Sequence, residues 1–243
     1  MGCTMMKSSK AKNDSVSYRH EYKYEINYSQ MEQLRIHLAS TINIDPHAGA
    51  NQRYSIRSLY FDDYQNSCYY DNENGVSPRA KFRIRIYNQS DERISLELKR
   101  KDYDKTYKQS CRISRENVER LLQGRNVLWE DEMDPLLKKL YILVETRQLR
   151  PKIIVEYDRT PYIYRDGNVR ITLDQNIRTS ALVDRFFEKD VHARPIMPTG
   201  KHLLEVKFDE FLPDFIYRTI QLYGLRRTTY SKYYLCRKFG GIV

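Results

Sequence analysis

At 243 residues the chain is long enough for one large domain or two small ones, and 42 Lys plus Arg against 32 Asp plus Glu give a formal charge of +10. That excess favours a polyanionic partner, whether nucleic acid, acidic membrane or phosphate compound. Cys3, Cys68, Cys111 and Cys236 form no C-x-x-C pair and have no histidines at zinc spacing, which excludes a zinc module and a disulfide framework and points to a reduced, cytoplasmic protein. No apolar run approaches the ~20 residues that span a bilayer, and residues 1–16 lack the apolar core of a signal peptide. The expectation is a soluble or peripheral protein with a disordered polar leader over 1–16 and a single domain over 17–243, since no Gly/Ser-rich or Pro-rich linker divides it. Met1-Gly2-Cys3 invites acylation, but Met6 stands where the myristoylation pattern wants Ser or Thr.

Charged and apolar residues alternate with period two in several segments, the mark of strands with one polar and one apolar face. The first sets Arg19, Glu21 and Lys23 against His20, Tyr22 and Tyr24. Ser29 and Glu32 then suggest a capping box before a helix through Met31, Leu34 and Leu38. A strand follows with Lys81, Arg83 and Arg85 opposing Phe82, Ile84 and Ile86, and another with Glu97 and Lys99 opposing Leu96 and Leu98. A helix is predicted from Ser114 to Gln123, ending at Gly124. Asp134-Pro135 opens a further helix that should stop near Arg150, before Pro151. Arg170, Thr172 and Asp174 oppose Ile171 and Leu173; Arg194 to Gly200 reads as a loop; Glu205 and Lys207 oppose Leu204, Val206 and Phe208; and a last helix covers Asp214 to Tyr223, closed by Gly224.

The polar faces are unusually selective. Lys81, Arg83 and Arg85 place three cations on one face of a strand within about 14 Å, where they repel one another unless an anion lies over them. Arginine's planar fork matches phosphate oxygens and lysine adds a point charge, so such a row suits a chain of phosphates; a solvated strand face is the competing reading. In Arg19-x-Glu21-x-Lys23, Glu97-x-Lys99 and Glu205-x-Lys207 an acid and a base share one face. Cross-strand salt bridges explain any single pair, whereas Mg²⁺ or Mn²⁺ held by one or two carboxylates and phosphate oxygens would explain acids inside an anion-binding surface. Closing the strands into an antiparallel barrel would put the charges on one lumen and the apolar faces outward under helices, an α+β tunnel.

Arg19-His20-Glu21-Tyr22-Lys23-Tyr24, Ser58-Leu59-Tyr60-Phe61-Asp62, Lys81-Phe82-Arg83-Ile84-Arg85, Leu96-Glu97-Leu98-Lys99, Arg159-Thr160-Pro161-Tyr162, Val169-Arg170-Ile171-Thr172-Leu173-Asp174, Leu204-Glu205-Val206-Lys207 and Ser231-Lys232-Tyr233 together resemble, in order, the motifs of the VTC (vacuolar transporter chaperone) polyphosphate polymerase domain, one of the triphosphate tunnel, or CYTH-like, metalloenzymes. The resemblance implies a β-barrel whose lumen binds triphosphate and a divalent metal, Mn²⁺ or Mg²⁺, and a transferase that moves the γ-phosphate of ATP to a polyphosphate chain. It implies catalytic roles for Lys23, Arg83, Arg85, Lys99, Arg159 and Arg170, and phosphate binding by Lys81, Lys108, Lys207, Ser231 and Lys232. Glu205 is implied as the chief metal ligand, with Glu21, Glu97 and Asp174 either binding metal through water or orienting the cations. Arg19 stands where the superfamily favours a first acid, which weakens a two-metal hydrolase, and Thr229 stands where eukaryotic VTC domains tend to carry lysine.

Two rivals accompany this reading: a tripolyphosphatase or other triphosphate-tunnel enzyme such as a nucleotidyl cyclase, and a non-catalytic polyphosphate-binding module for a membrane-protein partner, peripheral at the inner membrane surface. Single-stranded nucleic acid, stacking on some of the 21 tyrosines, ranks below polyphosphate, because outer-face packing accounts first for Tyr22, Tyr24 and Tyr60. Gly200-Lys201 lacks the upstream glycine of a P-loop. His47, His192 and His202 read as loop or surface residues, only Lys99 and Lys101 of Lys99-Arg100-Lys101 can face a lumen, and Arg226-Arg227 reads as a solvated helix cap or an acidic-membrane contact.

Overall fold

The structure, a computed structural model, describes residues 18–221 and 224–240. In chain order the elements are β1 (Arg19–Asn27), α1 (Tyr28–Thr41), β2 (Asn43–Ile44), β3 (Tyr54–Asp62), α2 (Ser67–Glu73), β4 (Arg79–Tyr87), β5 (Ser90–Asp102), β6 (Lys105–Arg112), α3 (Arg115–Leu122) and α4 (Pro135–Arg147). The chain continues with β7 (Arg150–Tyr164), β8 (Val169–Ser180), β9 (Arg194–Pro195), β10 (Lys201–Phe208), α5 (Asp214–Gln221) and α6 (Lys232–Gly240).

Eight strands follow one another in the order β7-β3-β4-β5-β6-β1-β10-β8, and β8 pairs back onto β7, so the sheet closes into an antiparallel barrel with β2 and β9 as short additions. The register decides what shares the inner face. Lys81 stands opposite Lys99, which stands opposite Lys108, while Arg83 faces Glu97 and Arg85 faces Ser58. Across the barrel Lys23 faces Glu205, Glu205 faces Thr172, and Arg159 faces Asp174. Because side chains alternate along a strand, turning these inward sends their apolar neighbours outward.

Helices α1, α3, α4 and α5 cover that outer surface. Phe82, Ile84, Leu96 and Leu98 pack with Leu136, Leu140 and Val144 of α4; Tyr24, Ile26, Ile171 and Leu204 pack with Met31 and Leu34 of α1 and Ile216 and Ile220 of α5. A third cluster lies on the inner face, where Tyr60, Ile153 and Val155 pack with Tyr233 and Cys236 of α6. Each such buried aliphatic side chain stabilises by about 1.5–3 kcal/mol, so cohesion resides in the outer shell and in the apolar inner section against α6, leaving the rest of the lumen free to be polar. Among the described residues no helix is long and apolar enough to cross a membrane.

Several expectations shift. The capping box of α1 is Asn27 with Gln30, not Ser29 with Glu32: Asn27 accepts from the Gln30 N–H (2.8 Å) and Gln30 accepts from the Asn27 N–H (3.0 Å), because the helix begins directly where β1 stops. Glu32 pairs with Arg35 instead. α4 stops at Arg147, with Gln148 left-handed (φ 48°), since Arg150 is already paired to Asp62 in the sheet. Arg194 and Pro195 leave the predicted loop to pair with Thr179 and Arg178. His202 is a buried residue of β10 near Tyr28 rather than a surface one. Tyr60 faces the lumen, not the outer shell, because it lies opposite Arg83. Residues 1–16, expected to form a leader, and Tyr223, expected to end the last helix, lie outside the described residues.

Candidate functional site

The barrel encloses a cavity of about 810 Å³. Arg79, Lys81, Arg83, Arg85 and Tyr87 of β4 all line it, so it follows that strand end to end, about 26 Å at a strand's rise per residue. Fourteen Lys and Arg side chains face it, against the three acids Glu21, Asp104 and Glu205. The fourteen include every cation the sequence proposed: Lys23, Lys81, Arg83, Arg85, Lys99, Lys108, Arg159, Arg170, Lys207 and Lys232, and Ser231 lines it too. Glu97 and Asp174 do not line it; they lie buried beneath the cations.

Four carboxylates organise this charge. Glu97 receives Arg83 (2.6 Å), Arg85 (3.7 Å) and Lys108 (3.1 Å). Burial alone would raise its pKa, but these three cations outweigh burial and hold it well below the usual carboxylate range. Asp174 accepts two parallel bonds of 2.7 Å from Arg159 and an ion pair of 2.6 Å from Lys232, the fork geometry that makes Arg–carboxylate pairs strong. Glu21 bridges Lys23 (2.9 Å) and Lys99, and Glu205 receives Lys207 (2.6 Å), with Lys232 at 3.5 Å and Arg159 at 3.6 Å. In all three, opposing cations again defeat burial and lower the pKa. The cations are thus held in place by counter-ions while their remaining donors point at open volume.

Lys81 is different. It has no carboxylate, only Asn72 Oδ1 at 3.4 Å, Ser231 Oγ at 3.3 Å and the Tyr233 ring at 5.0 Å. Burial, with help from Lys23, Arg79 and Arg83, pulls its pKa down to about 7. The Ser231–Tyr233 segment is positioned by Asp62 at the end of β3: that fully buried carboxylate accepts from the Cys68 (2.9 Å) and Tyr69 (3.1 Å) N–H groups at the start of α2 and from the Tyr233 hydroxyl on α6.

A divalent cation fits this donor set in only one manner. No group of three or more His, Cys, Asp or Glu side chains capable of caging a metal exists among the described residues. Glu205 and Glu21 face the lumen from neighbouring strands and match the mode in which one or two carboxylates share Mg²⁺ or Mn²⁺ with substrate phosphates. Glu97 and Asp174 do not match it, because they do not line the cavity and lie buried beneath the cations that they bind. Their geometry is that of orienting counter-ions, the other role the resemblance allows.

Sequence reading missed Tyr60, which accepts from Arg83 (2.9 Å), along with Arg79, Asn72 and Tyr157. Arg79 was reachable, being two residues before Lys81 on the same strand face. Arg227, expected as a solvated cap or membrane contact, is exposed, and its guanidinium also stacks on Tyr22 at 3.9 Å and lines the lumen. Arg19 also faces the lumen but binds Asp209 at 2.7 Å.

A family model described as "VTC domain" matches residues 18–239. Among solved structures the fold is similar to that of a Bacillus halodurans protein provisionally assigned as an adenylate cyclase, at 15% identity and TM-score 0.53, covering 88% of this chain and 94% of that one. It is also similar to a Hippeastrum protein, provisionally an adenylyl cyclase, with a dominant triphosphatase activity, at 12% identity and TM-score 0.51, covering 94% and 97%. At these identities the likeness is one of fold, the triphosphate tunnel. Compared with curated proteins by sequence, the chain has no significant match.

Proposed function

Since the chain belongs to the VTC domain family, as the match over residues 18–239 establishes, we propose that it is a metal-dependent polyphosphate polymerase that transfers the γ-phosphate of ATP to the end of a polyphosphate chain inside the tunnel. The observation that carries this reading is the lumen itself, fourteen cations against three acids along the length of a strand. A single orthophosphate cannot engage such a row; a phosphate chain can.

The charge states favour transfer to phosphate over transfer to water. Water attacking phosphorus has to lose a proton, whereas a terminal phosphate oxygen is already anionic and needs no base. Glu21 and Glu205 are held ionised by their lysines well below the pKa of an effective base at neutral pH. In the proposed step the acceptor oxygen bonds to the γ-phosphorus, the bond from that phosphorus to the β–γ bridging oxygen breaks, and ADP leaves. Arg83, Arg85, Arg159 and Lys99 would align the groups and offset the charge on the equatorial oxygens. Glu205 and Glu21 would hold Mn²⁺ or Mg²⁺, which when bound supplies further neutralisation of phosphate charge.

Incubation with ATP and Mn²⁺, followed by sizing of the phosphate products, tests the reading. Long chains are expected. Orthophosphate or cyclic nucleotide would identify another tunnel enzyme, and retained polyphosphate binding without turnover would identify a binding module.

A further inference from the structure

Ten of the fourteen lumen cations touch a carboxylate. The other four, Arg79, Lys81, Lys101 and Arg227, form no ion pair among the described residues, and they are neighbours. Arg79 stands directly opposite Lys101 in the β4–β5 register, and Lys81 is the next inward-facing residue along β4. Arg227 reaches the same rim from the segment bridged to Tyr24 of β1, and both Arg79 and Arg227 act electrostatically on Lys101.

Like charges directly opposite one another on a sheet are destabilising, and deeper in the barrel each such conflict is relieved by a buried acid. Here no acid makes an ion pair, and Asp71 and Glu21 act on Arg79 and Lys101 only from a distance. Asp104 lines the cavity too, but its ion-pair partner is His20 at 3.7 Å. Arg79 uses one N–H on the Val76 carbonyl (2.8 Å); Arg227 lies flat on Tyr22. A rim of cations with no ion pair, around the opening of a lumen whose other ten cations each contact a carboxylate, is complementary to an anion that extends out of it.

We propose that this mouth is a second anion subsite, formed by Arg79, Lys101 and Arg227 with Lys81 at its throat, that holds the section of a phosphate chain emerging from the carboxylate-buffered interior. Its ligand is a chain longer than triphosphate, since a triphosphate seated against Arg83, Arg85, Arg159 and Lys99 leaves nothing to reach the rim. The inference rests on the reading that the interior binds phosphate chains.

The test is calorimetry of tripolyphosphate and of long-chain polyphosphate at fixed ionic strength, with the wild type and an Arg79→Ala/Lys101→Ala double variant. The double variant is expected to bind long chains about tenfold more weakly, with a shallower salt dependence, and to bind tripolyphosphate as the wild type does. Its melting temperature should be unchanged or higher, because a like-charge pair has been removed. Equal losses for both ligands, or unaltered long-chain affinity, would overturn the subsite. Wild-type protein that binds neither ligand would instead overturn the interior reading on which it rests.

Discussion

Two buried ion clusters of this protein have a similar composition and opposite meaning. Outside the barrel, Arg57 of β3 and Arg178 of β8 flank Glu156 of β7 at 3.2 and 2.9 Å; inside it, Arg159 of β7 and Lys232 of α6 flank Asp174 of β8 at 2.7 and 2.6 Å. Each centres on one acid flanked by two cations with a cross-strand arginine–carboxylate pair, and the inner cations also reach Glu205 at 3.6 and 3.5 Å. The difference lies in the donors left over. Arg57 gives its own to the carbonyls of Phe186 (2.9 Å), Glu188 and Lys189 (3.1 Å), strapping that segment to the barrel. Arg159 binds Asp174 through Nε and Nη2, and its Nη1 has no acceptor among the described residues while the side chain lines the cavity. A buried charge is therefore not in itself a sign of function; an unused donor aimed into open volume is.

The sharpest way to break the comparison is to remove each arginine. Arg57→Ala strands Glu156 and frees the 186–189 segment, so it should cost about 3–5 kcal/mol of stability. Arg159→Ala leaves Asp174 its Lys232 partner and opens onto a solvated cavity. A smaller loss, about 1–3 kcal/mol, is expected together with a fall in turnover on the order of 100-fold. Urea unfolding beside ATP-dependent product formation reads both. Equal stability losses with equal residual activity would erase the distinction.

Acid should weaken the inner system as a unit. Glu21, Glu97, Asp174 and Glu205 all have folded pKa values below their ordinary ones, so the unfolded chain binds more protons at low pH. The stability they confer is fully present above the unfolded values near 4 and is lost as pH falls through and below them. Urea midpoints should be flat between about pH 7 and 5 and decline below about 4. A decline beginning near neutrality would mean that these acids are not held by the cations as described.

Within the lumen, Glu205→Gln separates a metal ligand from a counter-ion. If Glu205 shares a metal with phosphate, the variant should lose turnover and its Mn²⁺ response yet still bind polyphosphate, because one negative charge has gone. Wild-type-like Mn²⁺ titration of activity would leave Glu205 as the partner of Lys207 alone.

Half of this architecture was legible from alternation. β1, β4, β5, β8 and β10 each carry charge on one face and apolar residues on the other, so period two exposed both the strand and its lumen side. β3 hid because its lumen face is Tyr54, Ile56, Ser58 and Tyr60, as buried as its outer face; without a charge contrast there is no period to see. That is also why Tyr60 was assigned outward. α2 and α6 are short, and their fixing points are tertiary: α2 starts from Asn66 in the left-handed region and hangs on Asp62, while Lys232 and Tyr233 of α6 face the barrel interior. Composition and spacing found the cations, but only the register shows which acid holds which, and hence that four have none.

The smallest predicted effect concerns Lys81, which extends the comparison to a buried cation with no acid at all. Its side chain has only neutral neighbours within bonding reach, and burial has brought its pKa down to about 7, so at pH 8 most molecules hold it uncharged. A phosphate group arriving beside it favours the ammonium form and restores the pKa toward its ordinary value, so binding must draw a proton from solvent. Of the interior cations Lys99 can contribute in the same way, because burial brings its pKa down to about 7 despite Glu21. Arg83, Arg85 and Arg159 stay charged throughout, and the Lys232 pKa is raised by Asp174 and Glu205 despite burial. Calorimetric titration with tripolyphosphate at pH 8, in buffers of different ionisation enthalpy, should therefore show uptake of at most about one proton each for Lys81 and Lys99, falling toward zero at pH 6, where both are already charged. Lys81→Met should reduce the buffer dependence to the share of Lys99 while leaving part of the affinity. Buffer dependence undiminished in Lys81→Met would assign the proton to Lys99 alone, and its absence from the wild type at pH 8 would mean that both lysines enter the complex already charged.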